Sequence, residues 1–123
     1  MNEFKIINNY FKSLTKKNPS AKKLNDDVFF DKKKGVVISL DTYNSGIHFL
    51  GFEYPYYIVK KIIRSSLSDL ICKGVKPKYY FLSGGGNKQT FTKKNLSLIS
   101  KSLKEEQKKY SIIVGGGDTV YSK

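Results

Sequence analysis

Strand-forming and helix-forming segments alternate along this sequence, and that alternation predicts an α/β domain. The first supporting observation is three apolar, β-branched or aromatic runs, at residues 36–40, 78–82 and 112–114. The second is a pair of long segments with helical spacing, at residues 55–74 and 92–109, set between those runs. The third is the absence of any internal repeat or composition break, so residues 1–123 read as one domain.

Taken in order, Asn2 can cap a first helix, in which Phe4, Ile7 and Phe11 recur at helical spacing. Residues 13–23 are polar, basic and interrupted by Pro19, which predicts a loop. Val28-Phe29-Phe30 is a short strand, residues 31–35 a polar turn, and residues 36–40 a strand of buried type ending at Asp41. A loop with Gly46 and Gly51 follows. Pro55 suits the first turn of the next helix. Its predicted ladder is Ile58, Ile62, Ser66 and Leu70, with a stop at Gly74. Residues 78–82 form a strand and Ser83 to Asn87 a glycine turn. Thr92 caps a helix through Leu96, Ile99 and Leu103. Ile112-Ile113-Val114 is the last strand and runs into Gly115-Gly116-Gly117-Asp118.

Composition narrows the function classes. Hydrophobic content of 39% and aromatic content of 14% suit a globular domain and not a disordered tail. No apolar run reaches the roughly 18 residues that span a bilayer, and residues 1–10 lack the order of a signal peptide, so the expected location is cytoplasmic. One cysteine, Cys72, excludes an internal disulfide framework. The net charge of +13 raises the question of a nucleic-acid partner. The excess is almost all lysine, with Arg64 the single arginine, and it is scattered, so a solvated basic surface is the reading preferred to a nucleic-acid reader.

Ten carboxylates stand against twenty-three cationic side chains, and five of the ten occupy unusual places. Asp26 and Asp27 are adjacent just before a strand, and a nearby cation would relieve their repulsion. Asp41 and Asp118 sit where strands emerge, the end at which α/β sheets gather ligands. Asp69 lies within an apolar helical stretch. Together they could form a shared site for a hard cation, magnesium by choice of donor. Singly, each has a structural reading as well: Asp26 and Asp41 as turn or cap residues, Asp69 as a solvent-facing helix residue. One Cys and one His do not build a zinc site of ordinary type. The two glycine triplets match neither a P-loop nor a dinucleotide fingerprint and read first as turns. His48 reads alone as a hydrogen-bonded loop residue, and Cys72 as a small core residue.

In order along the chain, five segments resemble thiamine-monophosphate kinases of the aminoimidazole ribonucleotide synthetase-like superfamily. These are Asn2-Glu3-Phe4-Lys5-Ile6-Ile7 with Tyr10-Phe11; Asn25-Asp26-Asp27; Val37-Ile38-Ser39-Leu40-Asp41-Thr42 with Gly46-Ile47-His48-Phe49; Leu67-Ser68-Asp69-Leu70 with Gly74 and Pro77; and Gly116-Gly117-Asp118-Thr119. Each motif is weak alone, and their order and intervals carry the resemblance. It implies the N-terminal domain fold of that superfamily: a mixed β-sheet with helices packed on one face, dimerising through the sheet. It implies ATP and thiamine monophosphate as substrates, thiamine diphosphate as product, and Mg2+ as cofactor. By the same resemblance Asp26, Asp27, Ser39, Asp41, Asp69 and Asp118 would hold metal, Gly117 and Asp118 would meet ATP, and His48 would meet thiamine monophosphate. No residue acts as a covalent nucleophile in this scheme.

Departures from the family pattern are Lys23-Leu24-Asn25 for Gly-Ile-Gly, Leu40 for Thr, Ser66 for Asn, and Tyr121-Ser122 for Thr-Arg. The family also continues with a second α/β domain, so the expectation is an N-terminal part that is inactive alone. The alternatives are another ATP-dependent enzyme of the superfamily, of selenophosphate synthetase, aminoimidazole ribonucleotide synthetase or hydrogenase maturation type, or a non-catalytic basic binding module.

Overall fold

A computed structural model describes residues 2–123. At the N-terminus the Asn2 side chain accepts the Lys5 N–H at 3.0 Å and caps α1 (Glu3–Ile6). That bond satisfies one of the donors a helix start leaves free. The coil widens to π pitch over Ile7–Phe11, then tightens to 3-10 turns at Lys12–Thr15 and Pro19–Leu24. The segment expected as a plain loop is therefore coiled, and Pro19 sits at the start of a turn, where its missing N–H costs nothing.

Strands β1 (Val28–Asp31) and β2 (Val36–Ser39) form an antiparallel hairpin with Val28 opposite Ser39. The Asp31 carboxylate closes the turn by accepting the Lys33 and Lys34 N–H groups, each at 3.1 Å, and Gly35 takes a left-handed φ of +63°. The expectation of a buried β2 is corrected: Ile38 is 54% exposed and Leu40, just beyond the strand, 90% exposed. A β-branched run reports strand character, not burial, because burial needs a second layer over the face.

Two long helices make that second layer elsewhere. α2 spans Pro55–Cys72 and α3 spans Lys93–Tyr110, with the Thr92 hydroxyl accepting the Asn95 N–H at 3.1 Å as its cap. Val59, Ile63 and Leu67 of α2 and Ile112 form the core, and Tyr80, Ile99, Leu103 and Tyr110 pack against it. Each fully buried aliphatic side chain contributes about 1.5–3 kcal/mol. The predicted ladder Ile58-Ile62-Ser66-Leu70 is half-buried and flanks the buried stripe by one position. α2 packs on α3 along one side and meets β2 along another, so two adjacent stripes are covered and periodicity alone does not rank them. Cys72 is exposed on the last turn, which corrects its reading as a core residue.

β3 (Tyr79–Gly86) and β4 (Ile113–Tyr121) pair in parallel, with α3 as the crossover between them. Both glycine triplets lie inside these strands, so the expected turns are corrected to paired backbone. Leu82 faces Gly117 and Ser83 faces Asp118. The register slips between Tyr80 and Phe81, leaving Gly115 as the extra residue of a bulge. A Cβ on Gly115 would come within 2.9 Å of the Phe81 ring, and one on Gly117 would collide with the Leu82 carbonyl oxygen. Close approach of the strands thus explains Gly117, whereas the neighbour of Gly115 is an exposed ring.

The α/β class stands: along β3, Tyr80, Leu82, Gly84 and Gly86 are half-buried while Tyr79, Phe81, Ser83 and Gly85 face outward, Tyr80 packs on the helix core, and β4 is exposed throughout. The single mixed sheet becomes two two-stranded sheets.

Candidate functional site

The open end of the β1–β2 hairpin meets the C-terminal half of α2, and most of the expected site residues converge there. Pairing of Val28 with Ser39 brings Asp27, one residue outside the ladder, and Asp41, two residues outside it, to the same end. The Ser39 hydroxyl donates to the Asp69 carboxylate at 3.0 Å, joining β2 to α2 across thirty residues of chain. Asp41 accepts the Tyr43 hydroxyl at 3.0 Å, and Tyr43 also lies 3.3 Å from the Ser66 hydroxyl, one turn before Asp69 on α2. Asp26 accepts the Val28 N–H at 3.2 Å and pairs with Lys73 at 2.9 Å. The Lys73 ammonium holds the Asp26 carboxyl below its usual range, and Asp26 in turn raises Lys73.

His48 occupies the following loop. Its Nδ1 accepts the Asn44 N–H at 2.9 Å, so in the neutral ring Nε2 carries the proton and is the free donor. The Tyr43 ring meets His48 edge-on, with centroids 5.4 Å apart, which ties this loop to the Asp41 end. Lys61 donates to the His48 carbonyl from α2.

Asp118 and Gly117 lie on the other sheet. Asp118 is exposed on β4, and its carboxylate accepts the Thr119 N–H at 2.8 Å. The structure thus joins Ser39 to Asp69, links Asp41 to Ser66 of the same helix through Tyr43, brings Asp26 and Asp27 to the same hairpin end, and sets Asp118 on a separate strand pair. Sequence reasoning missed Tyr43 and Lys73. Tyr43 stands two residues from Asp41, but nothing local marks its second partner on α2. Lys73 was hidden among twenty-two other cations.

The donor chemistry fits magnesium, since carboxylate and hydroxyl oxygens are its ligands. No three His, Cys, Asp or Glu side chains among the described residues are placed to hold one metal ion between them. Magnesium does not require three: it usually takes one or two carboxylates and completes its shell with water and phosphate oxygens. Asp27, Asp41 and Asp69 have no basic side chain in ion-pair contact among the described residues, whereas Lys73 already holds the cation position beside Asp26.

The family described as AIR synthase related protein, N-terminal domain, matches residues 25–123. The chain belongs to this family. It is 32% identical over 128 residues to the thiamine-monophosphate kinase of Caulobacter vibrioides, covering 96% of this chain and 34% of that protein. It is 35% identical over 125 residues to the thiamine-monophosphate kinase of Buchnera aphidicola subsp. Schizaphis graminum, covering 96% of this chain and 37% of that one. The chain therefore spans about a third of the length of these curated relatives. Among solved structures, the thiamine monophosphate kinase of Aquifex aeolicus superposes with a TM-score of 0.77 at 23% identity, over 100% of this chain and 40% of that one. AaThiL complexed with AMPPCP and TMP superposes with a TM-score of 0.76 at 24% identity, with the same coverage. The structural matches establish the fold. No described helix is long and apolar enough to cross a membrane.

Proposed function

We propose that residues 1–123 are a single domain, the ATP- and magnesium-binding N-terminal part of a thiamine-monophosphate kinase. The reaction of the whole enzyme would carry the γ-phosphoryl group of ATP to thiamine monophosphate, giving ADP and thiamine diphosphate. The observation that carries this reading is the Ser39–Asp69 hydrogen bond at the hairpin end, which joins two segments that both resemble that family's motifs. The names of the aligned relatives, and the ATP analogue and TMP bound to AaThiL, point the same way.

In this proposal Asp27, Asp41, Asp69 and Asp118 hold magnesium, with Ser39 and Asp26 supporting them. When bound, the metal neutralises phosphate charge, which phosphoryl transfer needs more than a covalent nucleophile. Gly117 and Asp118 present β4 to the nucleotide, and the His48 Nε2–H donates to the phosphate of thiamine monophosphate. Tyr43 orients both Asp41 and the His48 ring. A second copy covers the outward strand residues, since Phe81 is 75% and Ile113 56% exposed, more apolar surface than a lone domain ordinarily leaves open. The proposed location is the cytoplasm.

Calorimetric titration of this chain tests the reading. It should bind AMPPCP only with magnesium present, and His48→Ala should weaken thiamine monophosphate binding while sparing the nucleotide. A coupled assay on this chain should find no turnover, because the exposed acidic end does not exclude water or fix the alignment of two phosphates. Nucleotide binding indifferent to chelation of magnesium would overturn the assignment.

A further inference from the structure

Tyr43 stands between the acidic end and the His48 loop, and its hydrogen bonds have a direction. An ionised carboxylate only accepts, so the Tyr43 hydroxyl proton goes to Asp41, at 3.0 Å. The phenol oxygen then accepts from the Ser66 hydroxyl at 3.3 Å, and the relay runs from Ser66 through Tyr43 to Asp41. Ser66 and Asp69 are three residues apart on α2 and share a face. Asp69 accepts from Ser39, two residues before Asp41. Two ties thus run from residues 39–43 to one face of α2, and the exposed Asp41 carboxylate ends one of them. On its other side Tyr43 meets the imidazole edge-on, with centroids 5.4 Å apart, and both rings are half-buried. The peptide that follows Tyr43 supplies the Asn44 N–H that holds His48 Nδ1 at 2.9 Å. The Asn44 carbonyl accepts the Ile47 and His48 N–H groups at 3.2 and 2.9 Å, and the Gly46 N–H reaches the Phe49 carbonyl at 2.7 Å. Residues 44–49 are therefore a closed turn that begins at Tyr43.

We infer that Tyr43 is a positioning residue that couples the acidic end to the His48 loop, so that a cation held by Asp41 sets the orientation of the His48 donor. The inference rests on the magnesium and thiamine monophosphate roles proposed above and adds that the two sites are not independent. When Asp41 gives charge to a cation, it becomes a weaker and differently oriented acceptor for the phenol. The phenol shifts its balance between Asp41 and Ser66, and the ring turns with it. The imidazole follows, because the ring edge lies against it and the adjoining peptide holds its Nδ1. Linkage makes the coupling reciprocal: whatever factor magnesium–nucleotide adds to thiamine monophosphate affinity, thiamine monophosphate returns.

The chain has one histidine, so its imidazole proton resonances report on His48 without assignment. The 123-residue chain is titrated with magnesium and AMPPCP at constant pH, by calorimetry for binding and by NMR for His48. In the parent the His48 resonances should move with the same midpoint as the heat. Tyr43→Phe keeps the ring and removes the hydroxyl. It should weaken magnesium–AMPPCP binding about tenfold, the lower end for losing a hydrogen-bonded partner of a metal ligand. At saturation it should lose most of the His48 shift, with a metal-free melting temperature close to that of the parent. A purely structural role would lower the melting temperature and leave the saturated shift intact. Ser66→Ala cuts the same relay at its far end and should also reduce the shift, which keeps the test open if Tyr43→Phe folds poorly. Calorimetric binding with an unmoved His48 in the parent would overturn the coupling and leave the metal assignment standing. So would a full His48 shift in both variants. A parent chain that binds no magnesium–AMPPCP would overturn the proposed function, and the coupling with it.

Discussion

The glutamates of the helix layer and the aspartates of the hairpin end are chemically alike but differently treated. Glu106 is 1% exposed and takes three charge-assisted hydrogen bonds, two from Arg64 at 2.8 and 2.9 Å and one from Lys60 at 3.0 Å. Glu105 shares Lys60 at 2.8 Å and also accepts from the Tyr56 hydroxyl. Among the described residues no buried side-chain polar atom lacks a partner. The hairpin end is the reverse: of Asp26, Asp27, Asp41 and Asp69, Asp26 alone has an ion-pair partner among the described residues. A buried carboxylate must be paired, because desolvation costs more than most other interactions return. An exposed one need not be, and in a chain of net charge +13 partners are plentiful. The helix layer spends its carboxylates on holding α2 to α3, and the hairpin end keeps its own available for a ligand.

The largest effect should follow from Glu106→Gln, which leaves Lys60 and Arg64 facing a neutral amide. Breaking one side of a buried pair costs about 3 kcal/mol, or a Tm drop on the order of 10 °C. The same group sets an acid limb. Hydrogen bonding from Arg64, against the opposing effect of burial, lowers the Glu106 carboxyl from 4.5 to about 2. Its folded value lies below its unfolded value, so its contribution is complete above about pH 4.5 and is lost as pH falls towards 2. Calorimetric melts across that window should fall for the parent and be flatter for the variant. Superposable acid limbs would break the comparison.

Asp41→Asn and Asp69→Asn should act in the opposite sense. Each should weaken magnesium–nucleotide binding about tenfold, equivalent to ~1.4 kcal/mol, with the metal-free Tm unchanged or raised because like charges are removed. If either variant melted as low as Glu106→Gln, the hairpin carboxylates would be structural after all. Thr92→Ala should cost about 1 kcal/mol through loss of the α3 cap, read as a smaller Tm drop with ligand binding intact. The smallest change expected is from Lys73→Met. With its ammonium gone the Asp26 carboxyl should titrate higher, and magnesium affinity should rise slightly. A fall in magnesium affinity would make Lys73 part of the site and not a competitor in it.

Local signals were readable before any fold was known. Asn2 and Thr92 cap helices as their side-chain chemistry and position require, and Pro55 opens α2. The site was legible as a list of aspartates but not as a geometry. Nothing near Asp69 in the chain identifies Ser39 as its partner, and nothing near Asp41 shows that Tyr43 also reaches Ser66. The glycine triplets are ambiguous in the sequence for the same reason. Glycine permits a turn, but it also permits two backbones to approach, and only the facing strand distinguishes these uses.

By itself, therefore, the sequence determined the types of most elements, the ends of the long helices and the residue types available for binding a hard cation. These depend on interactions within about one helical turn or one hairpin, which order along the chain specifies directly. Only the tertiary structure decided which stripe of α2 is buried, which carboxylates are neutralised and which stay open, and that the four strands divide into two pairs. Those outcomes rest on partners far apart in the chain, thirty residues for Ser39 and Asp69 and forty-two for Arg64 and Glu106. The energy that selects such partners is desolvation, which a side chain experiences only once another layer has covered it.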